Sequence, residues 1–156
     1  MSAIANLAAQ DWTAIAASLD NQGWALLPKL LDGSATARLR GLYDEEIFRS
    51  HVIMARHGFG RGEYKYFSYP LPGPIAALRP SLYECLAPIA NRWAGMKDEE
   101  TRYPARHADF LDRCHQAGQT RPTPLLLKYG AGDYNCLHQD LYGEHVFPLQ
   151  VAILLS

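Results

Sequence analysis

The residues with the clearest chemical potential are His138 and Asp140, which are separated by Gln139. The surrounding segment, Tyr134 to Leu141, has the composition of a strand. Successive side chains on a strand point to opposite faces, so side chains 138 and 140 would project to the same side. A histidine and a carboxylate in that arrangement supply two ligands of the 2-His-1-carboxylate triad, which binds Fe(II) and leaves coordination positions open. A surface strand that carries two polar residues is the plain alternative.

The same spacing also permits a zinc site. Cys136, His138 and Asp140 recur at period two, so a strand would place all three on one face. Structural zinc sites usually take paired ligands from separated turns, and this set has no such pair. A zinc-stabilised binding module therefore remains an alternative to an iron enzyme.

A segment of twelve residues, YGAGDYNCLHQD, reads as a strand, a tight turn and a second strand with the ligands. Its spacing of Tyr129, Gly132 and Leu-His-Gln-Asp resembles demethylases of alkylated DNA bases, within the 2-oxoglutarate and Fe(II)-dependent oxygenases. A broader likeness to prolyl hydroxylases covers the same strand pair. Residues 23–28 and 104–124 are similar to an uncharacterised bacterial branch of this superfamily, which is often linked by analogy to nucleic-acid oxidation.

The resemblance implies an enzyme that hydroxylates or oxidatively demethylates its substrate, for which a damaged nucleobase is one candidate. His138 and Asp140 would bind Fe(II), and Tyr129 would donate its hydroxyl to a carboxylate of the co-substrate 2-oxoglutarate. Tyr129 could equally be a packing residue of a half-buried strand. The second histidine and the co-substrate arginine of this superfamily lie far downstream, so the chain is expected to be a C-terminally truncated and inactive fragment.

Candidate substrate contacts lie in the glycine-rich segment from Arg56 to Tyr69, which alternates cationic and aromatic side chains. Arg61, Tyr64 and Tyr66 are the candidates there, because aromatic rings stack unpaired bases and cations neutralise phosphates. Glu144 is a further candidate, as a substitute for acidic residues that follow the motif in the base demethylases. The alternative is a lid or hairpin whose tyrosines pack on the core.

The composition indicates one globular domain over residues 1–156. Of these residues 48% are hydrophobic, and the formal net charge is −1, so no global basic field indicates a nucleic-acid partner. Three separated cysteines without a Cys-x-x-Cys pair favour a reducing compartment, and we expect a cytoplasmic location. No apolar run is long enough to cross a bilayer, so no membrane partner is expected.

The periodicity predicts an α+β fold in which N-terminal helices pack on part of a double-stranded β-helix, or jelly-roll, core. Residues 1–121 are expected to be mainly helical with a loop or hairpin at 51–74, and residues 122–156 to form the first core strands. The final apolar strand would lack its partners, and self-association through it is expected. The predicted helices are 9–20, 34–49, 80–95 and 104–117, and the predicted strands are 24–27, 125–129, 134–141 and 146–155.

Overall fold

The computed structural model describes residues 3–98 and 100–156. Its helices are α1 (Ala3–Ala8), α2 (Trp12–Gln22), α3 (Gly33–Gly41), α4 (Gly73–Met96) and α5 (His107–Gln116). Its strands are β1 (Phe48–Ile53), β2 (Gly60–Arg61), β3 (Glu63–Phe67), β4 (Leu125–Lys128) and β5 (Tyr134–Asn135). Five helices and small antiparallel sheets make the fold α+β, as the sequence predicts.

The helix α4 is the centre of the apolar core. Its 24 residues follow Pro72, with Pro74 in the first turn, and α1 and α5 both pack against it. Three buried clusters form along its length, with Leu82, Leu86 and Tyr83 as representative members. In the described residues, no helix is both long and apolar enough to cross a membrane.

Side-chain and glycine caps set the limits of the shorter helices. Asp11 and Asp32 accept hydrogen bonds from backbone N–H groups three residues later, at 3.0 and 2.8 Å, and so begin α2 and α3. Gly23 ends α2 in a left-handed conformation with a φ of 79°. The helix predicted from residue 34 therefore begins as expected, but it ends at Gly41 rather than at Arg49.

The main sheet has the order β1-β3-β4, and both pairings are antiparallel. Residues directly opposite each other share a face, so its two faces can be assigned from the register. We call the first the tyrosine face; it consists of Ser50, Val52, Tyr64, Tyr66, Leu125 and Leu127. We call the second the charged face; it consists of His51, Ile53, Glu63, Lys65, Leu126 and Lys128.

Three predicted strands differ from the structure. Residues 24–27 form no strand, and of residues 134–141 only Tyr134–Asn135 pair, with Gly60–Arg61. Residues 146–155 form no ladder either. Phe147 and Leu149 pack against helices instead, and the ring centroids of Phe147 and Tyr83 are 5.0 Å apart. An apolar run predicts that its side chains are buried. It forms a strand only where a neighbouring strand supplies the backbone hydrogen bonds.

Candidate metal and substrate site

The segment that carries the candidate ligands is held to the body of the chain by backbone contacts. The strand β5 pairs with β2, and the Cys136 N–H then donates to the Phe59 carbonyl at 2.8 Å. Gly60 makes this pairing close, because a Cβ at that position would collide with the Tyr134 carbonyl oxygen. Its φ of 124° is also one that residues with a side chain rarely adopt.

His138 and Asp140 lie beyond β5 in irregular backbone, so the prediction that a strand positions them was wrong. The structure nevertheless brings the two side chains together, with His138 Nε2 3.6 Å from Asp140 Oδ1. The irregular path takes the place of strand alternation because the pairing of β5 ends at Asn135.

Hydrogen bonds orient both side chains. His138 Nδ1 lies 2.8 Å from the Cys136 carbonyl oxygen, which can only accept, so Nδ1 carries the proton and Nε2 presents its lone pair. Gln150 Nε2 donates to Asp140 Oδ2 at 2.6 Å and leaves Oδ1 directed toward the imidazole. The pair therefore directs the Nε2 atom of the imidazole and one carboxylate oxygen to the same point, and these two atom types are the donors of an imidazole–carboxylate metal site.

Tyr129 follows β4 at the edge of the same region. Its ring lies against Gly62, where a Cβ would come within 2.7 Å of Cδ1 of the ring. The side chain is 43% exposed, so its hydroxyl is accessible to a small molecule. The absence of a side chain at Gly62 thus leaves room for the ring beside the link between β2 and β3.

The two phenols of the tyrosine face lie within electrostatic reach of Asp140. Burial raises the pKa of Tyr64 above its usual value, and the nearby Tyr142 and Asp140 raise it further. Burial also raises the pKa of Tyr66, with added contributions from Tyr64 and Asp140. Since both phenols are sensitive to the charge of Asp140, the face and the carboxylate belong to one electrostatic site. The rings of Tyr64 and Tyr66 meet edge to face at 5.6 Å.

A family model described as "Oxygenase, catalysing oxidative methylation of damaged DNA" matches residues 62–156. This match covers β3, α4, α5, β4, β5, Tyr129 and the His138–Asp140 pair. The chain belongs to this oxygenase family.

Two uncharacterized proteins of Mycobacterium tuberculosis, one from strain CDC 1551 / Oshkosh and one from strain ATCC 25618 / H37Rv, are each 53% identical to the chain over 90 residues. The matched part is 58% of this chain and 39% of each relative. The chain thus spans well under half the length of these relatives. No solved structure matches it significantly.

Two other residues that the sequence predicts as substrate contacts, Arg61 and Glu144, lie apart from the His138–Asp140 pair. Arg61 is mostly exposed, and its Nε lies 3.8 Å from Asp133 Oδ1 in the turn before β5. Glu144 lies beside His145 and lines a separate cavity of about 230 Å³ with Arg113 of α5. The structure records no contact between either residue and the His138–Asp140 pair.

Cys136, His138 and Asp140 do not come together as a three-ligand zinc site. Cys136 Sγ lies 3.7 Å from the Gly58 carbonyl oxygen, on the side of the β2–β5 pairing. Within residues 3–98 and 100–156, no three histidine, cysteine or acidic side chains gather as a metal cluster. The zinc alternative required strand alternation through residue 140, and that alternation stops at Asn135.

Sequence reasoning missed two residues near the candidate site, Gln150 and Arg49. Gln150 lies in a segment that reads as an apolar strand, and nothing in its spacing indicates a partner ten residues earlier. Arg49 falls at the end of a predicted helix, but in the structure its guanidinium lies 4.3 Å from the centre of the Tyr66 ring. The aromatic Phe48 and the β-branched pair Val52-Ile53 were the available signal of a strand there.

Proposed function

We propose that this chain carries the iron-binding part of an Fe(II)- and 2-oxoglutarate-dependent dioxygenase that hydroxylates or oxidatively demethylates a damaged nucleobase. The observation that carries the proposal is the convergence of His138 Nε2 and Asp140 Oδ1 at 3.6 Å beside the tyrosine face. Membership of a family described as acting on damaged DNA supports the substrate class. A double-stranded β-helix core in the complete protein is part of the same proposal.

The chemistry of the two donors fits Fe(II). An unprotonated imidazole nitrogen and a carboxylate oxygen are both ligands of the facial triad. The Cys136 carbonyl fixes the tautomer of His138, and Gln150 restrains Asp140, so both ligands are oriented before an ion arrives. When bound, iron and 2-oxoglutarate would supply the oxidising power for attack on a substrate C–H bond.

The role we assign to Tyr129 is to donate its hydroxyl to a 2-oxoglutarate carboxylate. Its ring is supported by Gly62 and its hydroxyl end is accessible, so it can bind a small acid without rearrangement. The charge-assisted hydrogen bond from a phenol to a carboxylate is stronger than a bond between neutral groups. Tyr129 also contributes to the electrostatic environment of Tyr64, which supports its place beside the same site.

For the substrate, Tyr64 and Tyr66 are the best supported contacts. They lie on the tyrosine face and respond to the charge of Asp140. Aromatic rings next to the ligands would hold an unpaired base by stacking. Arg61 remains a candidate for a phosphate contact because it is exposed, whereas the separate position of Glu144 gives it little support.

A cytoplasmic location and self-association complete the proposal. The three cysteines are free in the structure, which suits a reducing compartment. Apolar side chains in residues 146–155 are exposed, with Leu154 at 87%, and they offer a surface for a second copy. Sedimentation of Leu154→Lys against the unsubstituted chain tests this, and an unchanged mass distribution would contradict it.

Titration of the chain with Mn²⁺, followed by the electron paramagnetic resonance of the free ion, tests the metal site. We expect His138→Ala and Asp140→Ala to lower the affinity at least about tenfold. His57→Ala is the matched control, because His57 is an exposed histidine whose ring stacks on Phe59. Equal binding by all four proteins would overturn the assignment.

Turnover gives a second test. Because the described residues bring together two protein ligands rather than three, we expect the isolated chain to form no succinate from 2-oxoglutarate. Succinate release over several turnovers by this chain would show that another side chain completes the site, and the two-ligand assignment would then be wrong.

A further inference from the structure

Two arginines converge on Pro122 and Thr123, and a third arginine directly precedes these residues in the sequence. Arg49 of β1 donates from Nε and Nη2 to the Pro122 carbonyl at 3.2 and 3.1 Å. Arg79 of α4 donates from Nη2 to the Thr123 hydroxyl at 3.4 Å. Arg121 is exposed and directly precedes them. Elements that are distant in the sequence therefore bring positive charge to one stretch of the surface.

Within the described residues, no carboxylate neutralises the charge of this cluster. None of the three arginines forms an ion pair there, and the acceptors of Arg49 and Arg79 are neutral oxygens. The field of Arg79 also reaches its surroundings, since it assists burial in lowering the pKa of His107 to about 4. The cluster is thus a local positive surface on a chain with a formal net charge of −1.

A β-bulge accounts for the position of Arg49. Phe48 pairs with Phe67 and Ser50 pairs with Tyr66, so Arg49 is the extra residue between two regular pairs. Arg49 therefore has no partner residue in the register of β1 and β3. Bulges re-aim side chains and are common beside active sites. Here the bulge places the guanidinium over the Tyr66 ring, at the border of the tyrosine face.

We propose that Arg49, Arg79 and Arg121 bind the phosphates of a single-stranded nucleic acid whose base lies on the tyrosine face. The planar guanidinium is suited to phosphate, and aromatic rings beside a cationic track are typical of single-strand binding. Because Arg49 covers one side of Tyr66, the base is expected first against Tyr64. This inference rests on the proposed function and identifies the substrate contacts outside the metal site.

The test is binding of a fluorescent oligothymidylate of about twelve nucleotides, measured by anisotropy over a range of salt concentrations. Each guanidinium that no longer meets a phosphate is expected to reduce the slope of log affinity against log salt by about 0.7. We expect this for Arg121→Ala, and twice this for the Arg49→Ala/Arg79→Ala double variant, with an affinity loss at low salt of at least about tenfold. Arg38→Ala is the matched control, because Arg38 is an exposed arginine of α3.

Two features keep the outcome decisive. Arg121 has no polar partner in the described residues, so Arg121→Ala tests the track even if the double variant unfolds. Arg49→Lys keeps the charge and should keep the salt slope. An unchanged slope in Arg121→Ala and the double variant, an equal loss in Arg38→Ala, or equal displacement of the oligonucleotide by polyphosphate of the same charge would overturn the proposal.

Binding of Mn²⁺ separates this inference from the proposed function. The arginine variants should bind the ion as the unsubstituted chain does, whereas His138→Ala should lose the ion and keep its oligonucleotide affinity. If the arginine variants behave as expected and His138→Ala binds Mn²⁺ normally, the nucleic-acid track stands and the metal assignment fails. If the oligonucleotide does not bind at low salt while Mn²⁺ binding depends on His138, the track fails alone.

Discussion

The helices around α4 and the segment that carries the candidate ligands are held in place by different interactions. Eight side chains of α4 are buried, and they are apolar except for the Tyr83 hydroxyl. Every residue from 134 to 144 is exposed, and this segment is attached through backbone pairing with β2 and through single polar contacts. The difference implies that stability resides in one region and the proposed chemistry in the other, so substitutions should separate the two properties.

The largest effect is expected in the helical region. Leu82→Ala removes a side chain that is only 7% exposed and leaves a cavity beside Leu78 and Leu30, so it should lower the free energy of unfolding by about 2–5 kcal/mol. Leu137→Ala, at a fully exposed leucine, should change it by less than about 0.5 kcal/mol. Urea denaturation measures both, and similar losses in the two variants would remove the distinction between the regions.

The next largest effect on stability is expected at Gly60, in the strand β2 that pairs with the ligand segment. Gly60→Ala forces a side chain into the Tyr134 carbonyl at an unfavourable φ, and we expect a loss of about 3 kcal/mol together with weaker Mn²⁺ binding. Gly58→Ala also has a positive φ but meets no atom within 4 Å, so it should cost about 1–2 kcal/mol and leave Mn²⁺ binding unchanged. Equal metal affinity in both variants would mean that β2 does not position the ligands.

Gln150 contacts Asp140 in the exposed segment, so Gln150→Ala tests whether metal binding can weaken while the stability of the fold is unchanged. Loss of the hydrogen bond to Asp140 should weaken Mn²⁺ binding about 10- to 100-fold, because the carboxylate is no longer restrained. The melting temperature should stay within error of the unsubstituted chain, since both groups are exposed. Gln139→Ala serves as the control, and an equal effect there would rule out the specific role of Gln150.

The smallest effect concerns the charged face. A hydrogen bond from His51 at 2.6 Å, opposed by partial desolvation, holds the pKa of Glu63 below its ordinary 4.5. A carboxyl whose pKa is lower in the folded state stabilises the fold above its unfolded pKa, and this contribution is lost as the pH falls through the folded pKa. Thermal melts of Glu63→Gln should therefore show a deficit at neutral pH that disappears well below pH 4.5. Glu46→Gln, at an exposed residue without an ion pair in the described chain, should show no such deficit.

The sequence predicted the fold class and several helices because those features depend on local signals. Each signal acts within a few residues of the structure that it specifies. Examples are the N-cap at Asp32, the helix stop at Gly23 and the helical spacing of Leu82 and Leu86. The start of α4 was missed because Pro80 reads as a helix boundary, whereas packing of the flanking turns holds it inside a longer helix.

The sequence predicted that the side chains of His138 and Asp140 lie together, but it did not predict the contacts that support them. The spacing of His138 and Asp140 identified the pair, although irregular backbone rather than a strand brings them together. Gln150 contacts Asp140, ten residues earlier, and Arg49 at the β-bulge contacts Tyr66 of the neighbouring strand. Both contacts depend on the tertiary structure. Periodicity carries no information on such contacts, since it reports only the local conformation of the chain.

The two prolines inside α4 have a consequence for the order of folding. Neither Pro80 nor Pro88 has an N–H to donate, and each costs a helix interior about 3 kcal/mol. A peptide of residues 73–96 should therefore show little helical signal by circular dichroism in water, although the same residues form a rod about 36 Å long in the structure. Helix formation in α4 would then have to await the docking of α1 and α5, so that the longest helix nucleates late and the helical region assembles in one cooperative step.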